Sequence, residues 1–264
     1  MLVDIGLNLS SPRYDSDREA VLQRGLAAGV SHFILTGTSV AESEAVVTLA
    51  RQHAPHCLAT VGVHPHDSAS LDEAGLQRLR QLLREPGVVA VGETGLDFNR
   101  NYSPPEAQEK AFAAQISLAG EFGLPLFLHE RDAGERLRDM LRAQRQEWEN
   151  GVLHCFTGSR EALFAYLDMG LMIGVTGWVC DERRGQELQA LVKEIPADRL
   201  LLETDGPYLL PRDLPQPPRD KRNEPQYLPH IATTVARLRG ESVEKLAEQT
   251  THNARQLFKL APSS

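Results

Sequence analysis

Short apolar runs rich in β-branched residues alternate with amphipathic segments along most of the chain. The apolar runs predict strands at residues 2–4, 32–36, 58–63, 88–92, 124–129, 152–156, 171–175 and 200–204. The amphipathic segments predict helices at residues 18–28, 41–51, 71–84, 105–122, 134–144, 160–167, 182–193, 228–238 and 243–257. Eight strand–helix repeats predict an α/β fold with buried parallel strands, and they suit a closed (β/α)₈ TIM barrel better than a doubly wound open sheet.

The length and composition of the chain favour one globular domain over residues 1–264. Barrels of this class commonly form a single domain of about 250 residues, and the 264 residues here are 41% hydrophobic and 24% charged. No apolar stretch approaches the roughly 20 residues of a membrane span, and the first residues lack the pattern of a secretory signal. We therefore expect a cytoplasmic protein with no membrane association, and we expect a monomer.

The net charge and the cysteines exclude some classes of partner and of structural site. The formal net charge of -8 removes any general attraction to polyanions, although a metal or a local basic patch could supply one. The three cysteines are widely spaced and form no CxxC pair, which argues against both a disulfide framework and a thiolate zinc site. The proline-rich segment 211–229, after the eighth predicted strand, is expected to be an ordered loop.

Polar residues that can do chemistry stand where the predicted strands end. His64, Glu93, His129, His154 and Asp205 follow the third, fourth, fifth, sixth and eighth apolar runs. The strand ends of a parallel barrel share one face, so residues far apart in sequence are expected to converge there. Singly, each would more often be a hydrogen-bonded or solvated residue. Together they predict a common divalent cation, since buried imidazoles and carboxylates need a partner.

Such a site would activate water for hydrolysis. The expected ligands are Glu93, His129, His154 and Asp205, and the donor set suits Zn²⁺, Mn²⁺ or Fe²⁺, whereas Mg²⁺ prefers more oxygen. The ion would lower the pKa of a bound water, with Asp205 or His64 taking the proton. His66, two residues after His64, is expected to lie in a turn or in a supporting position.

Basic and aromatic residues near the same predicted strand ends suggest a polyanionic substrate. Arg183, Arg184 and Arg222 lie in the last loops, and Phe98, Trp178 and Tyr208 follow strand ends. Guanidinium groups and aromatic rings around a metal are typical of single-strand nucleic-acid sites. The alternative is that these rings cap the barrel and the arginines solvate helix ends. No GxGxxG or GxxxxGK[ST] loop is present, so no nucleotide cofactor is expected.

Six separated motifs together resemble the TatD family of metal-dependent deoxyribonucleases over nearly the whole chain. They are GVHPH at 62–66, GETGLDF at 92–98, LHERDA at 128–133, LHCFTG at 153–158, ETDGPY at 203–208 and RNEP at 222–225. The resemblance implies a TIM-barrel hydrolase and, for the TatD branch, a 3′→5′ exonuclease on single-stranded DNA or RNA with a role in DNA repair. It implies that Glu93, His129 and His154 bind metal, that Asp205 is a ligand or water activator, and that His64 and Arg131 lie near the phosphate.

One departure affects the expected cofactor. Most of the wider family begins with an Asp-x-His-x-His strand, whereas Gly6 and Asn8 stand here in place of the two histidines. This favours one tightly bound metal over two, or Mg²⁺ recruited with the substrate. We expect Mg²⁺ in function, with Mn²⁺ or Zn²⁺ as alternatives. The competing functions are a metal-dependent amidohydrolase of small amides or lactones and a non-catalytic barrel that acts through protein contacts.

Overall fold

The computed structural model describes residues 1–260. Within these residues the strands are β1 (Leu2–Leu7), β2 (Val30–Leu35), β3 (Cys57–Val61), β4 (Val88–Asp97), β5 (Leu126–Arg131), β6 (Gly151–Leu153), β7 (Met172–Val175) and β8 (Leu200–Leu202). The helices of the same residues are α1 (Arg18–Ala27), α2 (Val40–Gln52), α3 (Glu73–Leu82), α4 (Pro105–Phe122), α5 (Gly134–Ala143), α6 (Arg160–Asp168), α7 (Gln186–Leu191), α8 (Leu228–Arg239) and α9 (Val243–Phe258).

The eight strands form one sheet in the sequential order β1 to β8, with a helix after every strand. The β3–β4, β4–β5, β5–β6 and β7–β8 pairs are parallel. This is the topology of a (β/α)₈ TIM barrel, and the predicted fold class is confirmed. The 211–229 segment runs as a loop up to a 3₁₀ turn at Pro225–Tyr227, as expected.

Most predicted elements differ from the observed ones by up to three residues at one or both ends, and two differ by more. β4 was expected to end at residue 92 but continues to Asp97, so Glu93 lies inside the strand and not after it. The helix expected over 182–193 is shorter, because α7 begins only at Gln186. The Asp181 carboxylate accepts the backbone N–H groups of Arg183 and Arg184, which stabilises a turn where the helix was expected to begin.

The described chain divides into two compact units. Unit 1 comprises residues 1–34 and 155–260, and unit 2 comprises residues 35–154. In unit 1, α8 and α9 bury Ile231 and Phe258, and the chain after β8 meets the end of β1 through a parallel bridge between Leu7 and Gly206. In unit 2, α4 packs on β4 and buries Phe112 and Ile116.

The prediction that residues 1–264 form a single domain stays a prediction. Among residues 1–260 no helix has the length and apolar character needed to cross a lipid bilayer.

Candidate active site

An irregularity in β4 sets the position of Glu93 in unit 2. The pairing of β4 with β5 shifts between Gly92 and Thr94, and the Glu93 backbone N–H donates instead to the Gly37 carbonyl at 2.7 Å. Next to it the two strands approach so closely that a Cβ at Gly95 would lie 2.0 Å from the carbonyl oxygen of His129. Glycine is therefore required at this position, and the bulged strand holds Glu93 beside the residues of β5.

Three imidazoles surround a single carboxylate oxygen of Glu93. His129 Nδ1 lies 2.9 Å from Oε1, His154 Nε2 lies 3.4 Å from it and His64 Nε2 lies 3.5 Å from it. Glu93, His64 and His154 are all buried, and the His154 ring packs on Phe127 with the ring centroids 4.9 Å apart. The structure therefore brings together four of the residues that the sequence singled out, three of them expected metal ligands.

The geometry of these donors suits a divalent metal. Ligands bound tetrahedrally at about 2.1 Å from an ion lie about 3.4 Å from one another. The His154–Glu93 separation matches that spacing, and it is longer than a normal hydrogen bond. The ligand atoms of His64, Glu93 and His129 all lie within 4.8 Å of one another. Imidazole nitrogen and carboxylate oxygen are ligands of Zn²⁺ and related ions, so the residues present fit a metal.

Electrostatics keep the central carboxylate ionised. Burial alone would raise the pKa of Glu93, but the attraction of His154 and His64 and the hydrogen bond from His129 hold that pKa well below its ordinary value. Burial alone would lower the pKa of His129, whereas hydrogen bonds to Asp97 and Glu93 raise it to about 8. Without an ion, His129 is therefore a cation held between two anions near neutral pH.

His64 differs from the other two imidazoles in its hydrogen bonding. It precedes the 3₁₀ turn Pro65–Ser70, and its Nδ1 accepts the backbone N–H of His66 at 3.0 Å. Burial, reinforced by the charges of neighbouring histidines, lowers the pKa of His64 to about 3 despite the attraction of Glu93. His64 is thus neutral, and because Nδ1 accepts, the ring proton sits on Nε2, which faces Glu93.

Asp97 belongs to the GETGLDF motif at 92–98, and the sequence predicted no functional role for it. Its carboxylate lies 2.9 Å from His66 Nε2 and 3.4 Å from His129 Nε2. Burial alone would raise the pKa of Asp97, but hydrogen bonds from His129, the Arg100 backbone and His66 keep it well below the ordinary range. His66 indeed lies in the 3₁₀ turn, where its ring meets Tyr102, whose own ring is exposed. Asp97 therefore orients one expected ligand and one supporting histidine.

Asp205 lies in unit 1, three residues after the end of β8. Its backbone N–H donates to the Gly6 carbonyl at 2.8 Å, and the Asn8 side-chain amide donates to its Oδ1 at 3.1 Å. Asn8 therefore positions the Asp205 carboxylate through a hydrogen bond, while Gly6 contributes only backbone. The role of Asp205 as a ligand or water activator stays a prediction.

Trp178 and two arginines of unit 1 form an aromatic and basic surface, which we call the Trp178 platform. The Arg184 guanidinium stacks over the Trp178 ring at 4.5 Å and also pairs with Asp181 at 2.9 Å. The Arg183 side chain is 61% exposed and makes only long contacts of 3.9–4.0 Å with Glu182 and Asp181. A stacked ring and a nearby exposed guanidinium suit an unpaired base and its phosphate, the role predicted for these residues.

The other predicted substrate contacts are distributed over both units. Phe98 and Arg131 lie in unit 2, where the Phe98 backbone N–H donates to the Arg131 carbonyl at 2.9 Å and the Arg131 side chain is exposed. Tyr208, in unit 1, is 55% exposed. Arg222 is largely buried and pairs with Asp17 and Glu224 at 2.8 and 2.7 Å. A phosphate contact by Arg222 would compete with these carboxylates.

Comparison with known proteins identifies the family. The model of the TatD-related DNases matches residues 3–259. A protein of Erwinia amylovora named 3′-5′ ssDNA/RNA exonuclease TatD is 53% identical over 98% of this chain and 100% of its own. Crystal structures of a TatD homologue from Escherichia coli K12 and a TatD family hydrolase from Entamoeba histolytica are 29% and 27% identical, each covering 98% of both chains at a TM-score of 0.90. The chain belongs to the family of TatD-related DNases.

Proposed function

We propose that this protein is a divalent-metal-dependent 3′→5′ exonuclease that hydrolyses phosphodiester bonds of single-stranded DNA or RNA. The observation that carries the proposal is the arrangement of His64, His129 and His154 around one ionised oxygen of Glu93. The relative from Erwinia amylovora, named for this activity, aligns over its entire length. A non-catalytic barrel would have no need to bury a carboxylate among three imidazoles.

Glu93, His129 and His154 would hold the ion, with Asp205 as a further ligand. A divalent ion supplies Lewis-acid polarisation of the phosphodiester and acidifies water at neutral pH. We propose Mg²⁺ as the ion in function, with Mn²⁺ or Zn²⁺ as alternatives. Asp97 fixes the His129 ring through its second nitrogen, an interaction that usually orients a metal-binding imidazole and raises its basicity.

His64 is proposed as a hydrogen-bond donor to substrate. Its Nδ1 is engaged by the His66 backbone, so Nε2 carries the proton and cannot accept another from water. The Nε2–H group can instead donate to a phosphate oxygen, where negative charge increases during hydrolysis. This leaves Asp205 as the proposed acceptor of the proton from the attacking water, with its carboxylate oriented by Asn8.

Substrate binding is assigned to stacking and to a few arginines. The Trp178 platform, Phe98 and Tyr208 would stack on bases, and Arg131, Arg183, Arg184 and Arg222 would contact phosphates. Stacking requires unpaired bases, so single strands are preferred over duplexes. We further propose a cytoplasmic monomer with one domain and a role in DNA repair, in keeping with the family resemblance.

The decisive experiment combines end-labelled oligonucleotides with controlled metal content. Purified protein is stripped with chelator and incubated with single strands labelled at the 5′ end or the 3′ end, and with the matching blunt duplex, in Mg²⁺, Mn²⁺ or Zn²⁺. We expect a ladder of 5′-labelled products, immediate release of the 3′ label, slow cleavage of duplex and no cleavage with chelator. Cleavage that persists in chelator, or a ladder of 3′-labelled products, would refute the proposal.

A further inference from the structure

A second group of metal-binding side chains lies in unit 1, apart from the residues assigned to catalysis. Cys180 ends the 3₁₀ turn Gly177–Cys180, Asp213 lies in the loop after β8, and His230 lies in the first turn of α8. Their sulfur, oxygen and nitrogen atoms all lie within 4.8 Å of one another, and His230 Nε2 is 2.6 Å from Asp213 Oδ1. Three separate segments of the chain thus bring three different ligand types to one point.

We propose that Cys180, Asp213 and His230 form a second metal site, which binds Zn²⁺ or another divalent ion with affinity for sulfur. A thiolate, an imidazole and a carboxylate are all ligands of zinc, and the thiolate disfavours Mg²⁺ and Ca²⁺. The charges also balance, because a thiolate and a carboxylate together neutralise a divalent cation. The site differs in kind from the one around Glu93, whose assigned ligands contain no sulfur.

The backbone around the three residues is held in place by contacts of their neighbours. Asp181, next to Cys180, pairs with Arg212, next to Asp213, at 3.7 Å. A Cβ at Gly177 would lie 2.2 Å from the carbonyl oxygen of Leu209, so the loop passes directly against the 3₁₀ turn. These contacts bring the Cys180 and Asp213 ligands side by side before any ion arrives, which reduces the ordering cost of binding.

The Cys180 thiol is shielded from solvent, whereas the other two ligands are partly exposed and leave a route for an ion. The thiol is buried and hydrogen-bonds to Asp213 and to Thr234, one helical turn after His230 on α8. Burial raises the pKa of the Cys180 thiol to about 12, so it is protonated in the absence of an ion. The His230 and Asp213 side chains are 27% and 43% exposed, and an ion can enter from their side. Binding would displace the thiol proton to solvent.

A metal here would tie three parts of unit 1 together. It would join the start of α8, the loop that carries Arg212 and the 3₁₀ turn that carries Trp178. Local unfolding of any one of these segments would then require loss of a ligand. The expected role is structural, because the ion would hold the loop and the Trp178 platform in a fixed relation, and metal binding at this site can be measured without any nuclease assay.

Cobalt provides a readout specific for sulfur coordination. Metal-free full-length protein is titrated with Co²⁺, and the near-ultraviolet charge-transfer band of a cobalt–thiolate bond is recorded. We expect the band in the wild type and in Cys57→Ser, which alters a buried cysteine of unit 2. We expect its loss in Cys180→Ala and in His230→Ala. Added Zn²⁺ should abolish the wild-type band by displacing cobalt.

Elemental analysis and thermal unfolding complete the test. After exposure to excess Zn²⁺ and dialysis, wild-type protein should retain about one zinc ion per chain more than His230→Ala. Zn²⁺ should raise the unfolding temperature of the wild type more than that of the variant. Because His230 is partly exposed, this variant should fold even if Cys180→Ala does not. Absence of the cobalt band in wild type, or its persistence in His230→Ala, would overturn the proposal.

Discussion

The two units each bury a carboxylate on a β-strand, and their surroundings affect it in opposite ways. Glu93 on β4 of unit 2 is surrounded by three imidazoles, which hold its pKa well below the ordinary value although burial alone would raise it. Asp4 on β1 of unit 1 is fully buried, and burial raises its pKa to about 7 against the effect of hydrogen bonds from Thr204 and Gly6. One acid stays an anion, while the other is largely neutral below pH 7.

The difference shows that burial alone does not decide whether a carboxylate is ionised. A hydroxyl and backbone amides stabilise a carboxylate less than the imidazoles around Glu93 do, since His129 among them is positively charged near neutral pH. Asp4 therefore serves to join β1 to the segment after β8 through Thr204. Glu93 stays ionised and is therefore available to bind a divalent cation. The proposed functions also differ between the units. The imidazoles proposed to bind metal lie in unit 2, and the Trp178 platform proposed to bind bases lies in unit 1.

The largest effect is expected from removing the charge of Glu93. Glu93→Gln keeps the size of the side chain but removes the anion, so the loss of metal-based catalysis should lower kcat/KM by at least about 10³-fold, or about 4 kcal/mol. Glu109→Gln, which changes a partly exposed glutamate paired with Arg136, serves as the matched control. Exonuclease assays at saturating Mg²⁺ and Mn²⁺ measure the effect. Near-normal turnover by folded Glu93→Gln would remove this residue from the metal centre.

Substitution of Trp178 should instead affect binding. If a base stacks on this ring, Trp178→Ala should weaken the affinity for single-stranded DNA by about 1–3 kcal/mol and leave kcat little changed. Trp178→Phe should recover part of the affinity because it restores an aromatic face. Fluorescence anisotropy of a labelled oligonucleotide gives the dissociation constants. Equal affinity of the wild type and the alanine variant would assign Trp178 to hydrophobic packing only.

Asp4 should make stability depend on pH in a direction opposite to that of most acids. Its folded-state pKa is raised from 3.8 to about 7, so its stabilising contribution is complete below about pH 4 and is lost as the pH rises through 7. Between pH 5 and pH 7 the wild type should lose about 2 kcal/mol relative to Asp4→Asn, whose amide imitates the neutral acid. Urea unfolding at both pH values measures this. Parallel pH profiles for the two proteins would mean that Asp4 is ionised throughout.

The smallest effect concerns phosphate contacts. The logarithm of the affinity for single strands should fall linearly with the logarithm of the salt concentration. Each phosphate contact adds about 0.7 to the slope, so three to five contacts give a slope of about 2–4. Arg183→Gln should lower the slope by about 0.7, because its guanidinium is exposed and makes only long contacts. Arg222→Gln should lower the slope by the same amount only if Arg222 breaks its ion pairs with Asp17 and Glu224 to bind substrate. Binding isotherms over a range of salt concentrations distinguish the two arginines.

Much of this fold was predictable because apolar runs and amphipathic segments alternate clearly. The bounds of α4, Pro105–Phe122, agree with the predicted segment, where Pro105 starts the helix and Gly123 ends it in a left-handed conformation. β4 was predicted too short because Gly92, Thr94 and Gly95 interrupt its apolar run. Strand continuity there depends on pairing with β5, which single-sequence patterns do not show.

The candidate site was only partly predictable for a similar reason. His129, His154, Glu93 and His64 stood at predicted strand ends, and their convergence followed from the fold. The bridging position of Asp97 between His66 and His129 depends on side-chain geometry. The protonated nitrogen of His64 depends on one backbone hydrogen bond from His66. Neither feature has a signature in residue spacing.

The position of Asp97 after the register shift in β4 also limits the changes in chain length that this strand can tolerate. Side chains of a strand alternate between its two faces, so removal of one residue reverses the orientation of every residue that follows. A deletion between Glu93 and Asp97 would turn Asp97 away from His66 and His129 while leaving every functional residue present in the sequence. Natural variation and directed evolution in this strand should therefore proceed by substitution, and insertions or deletions should be confined to the loops.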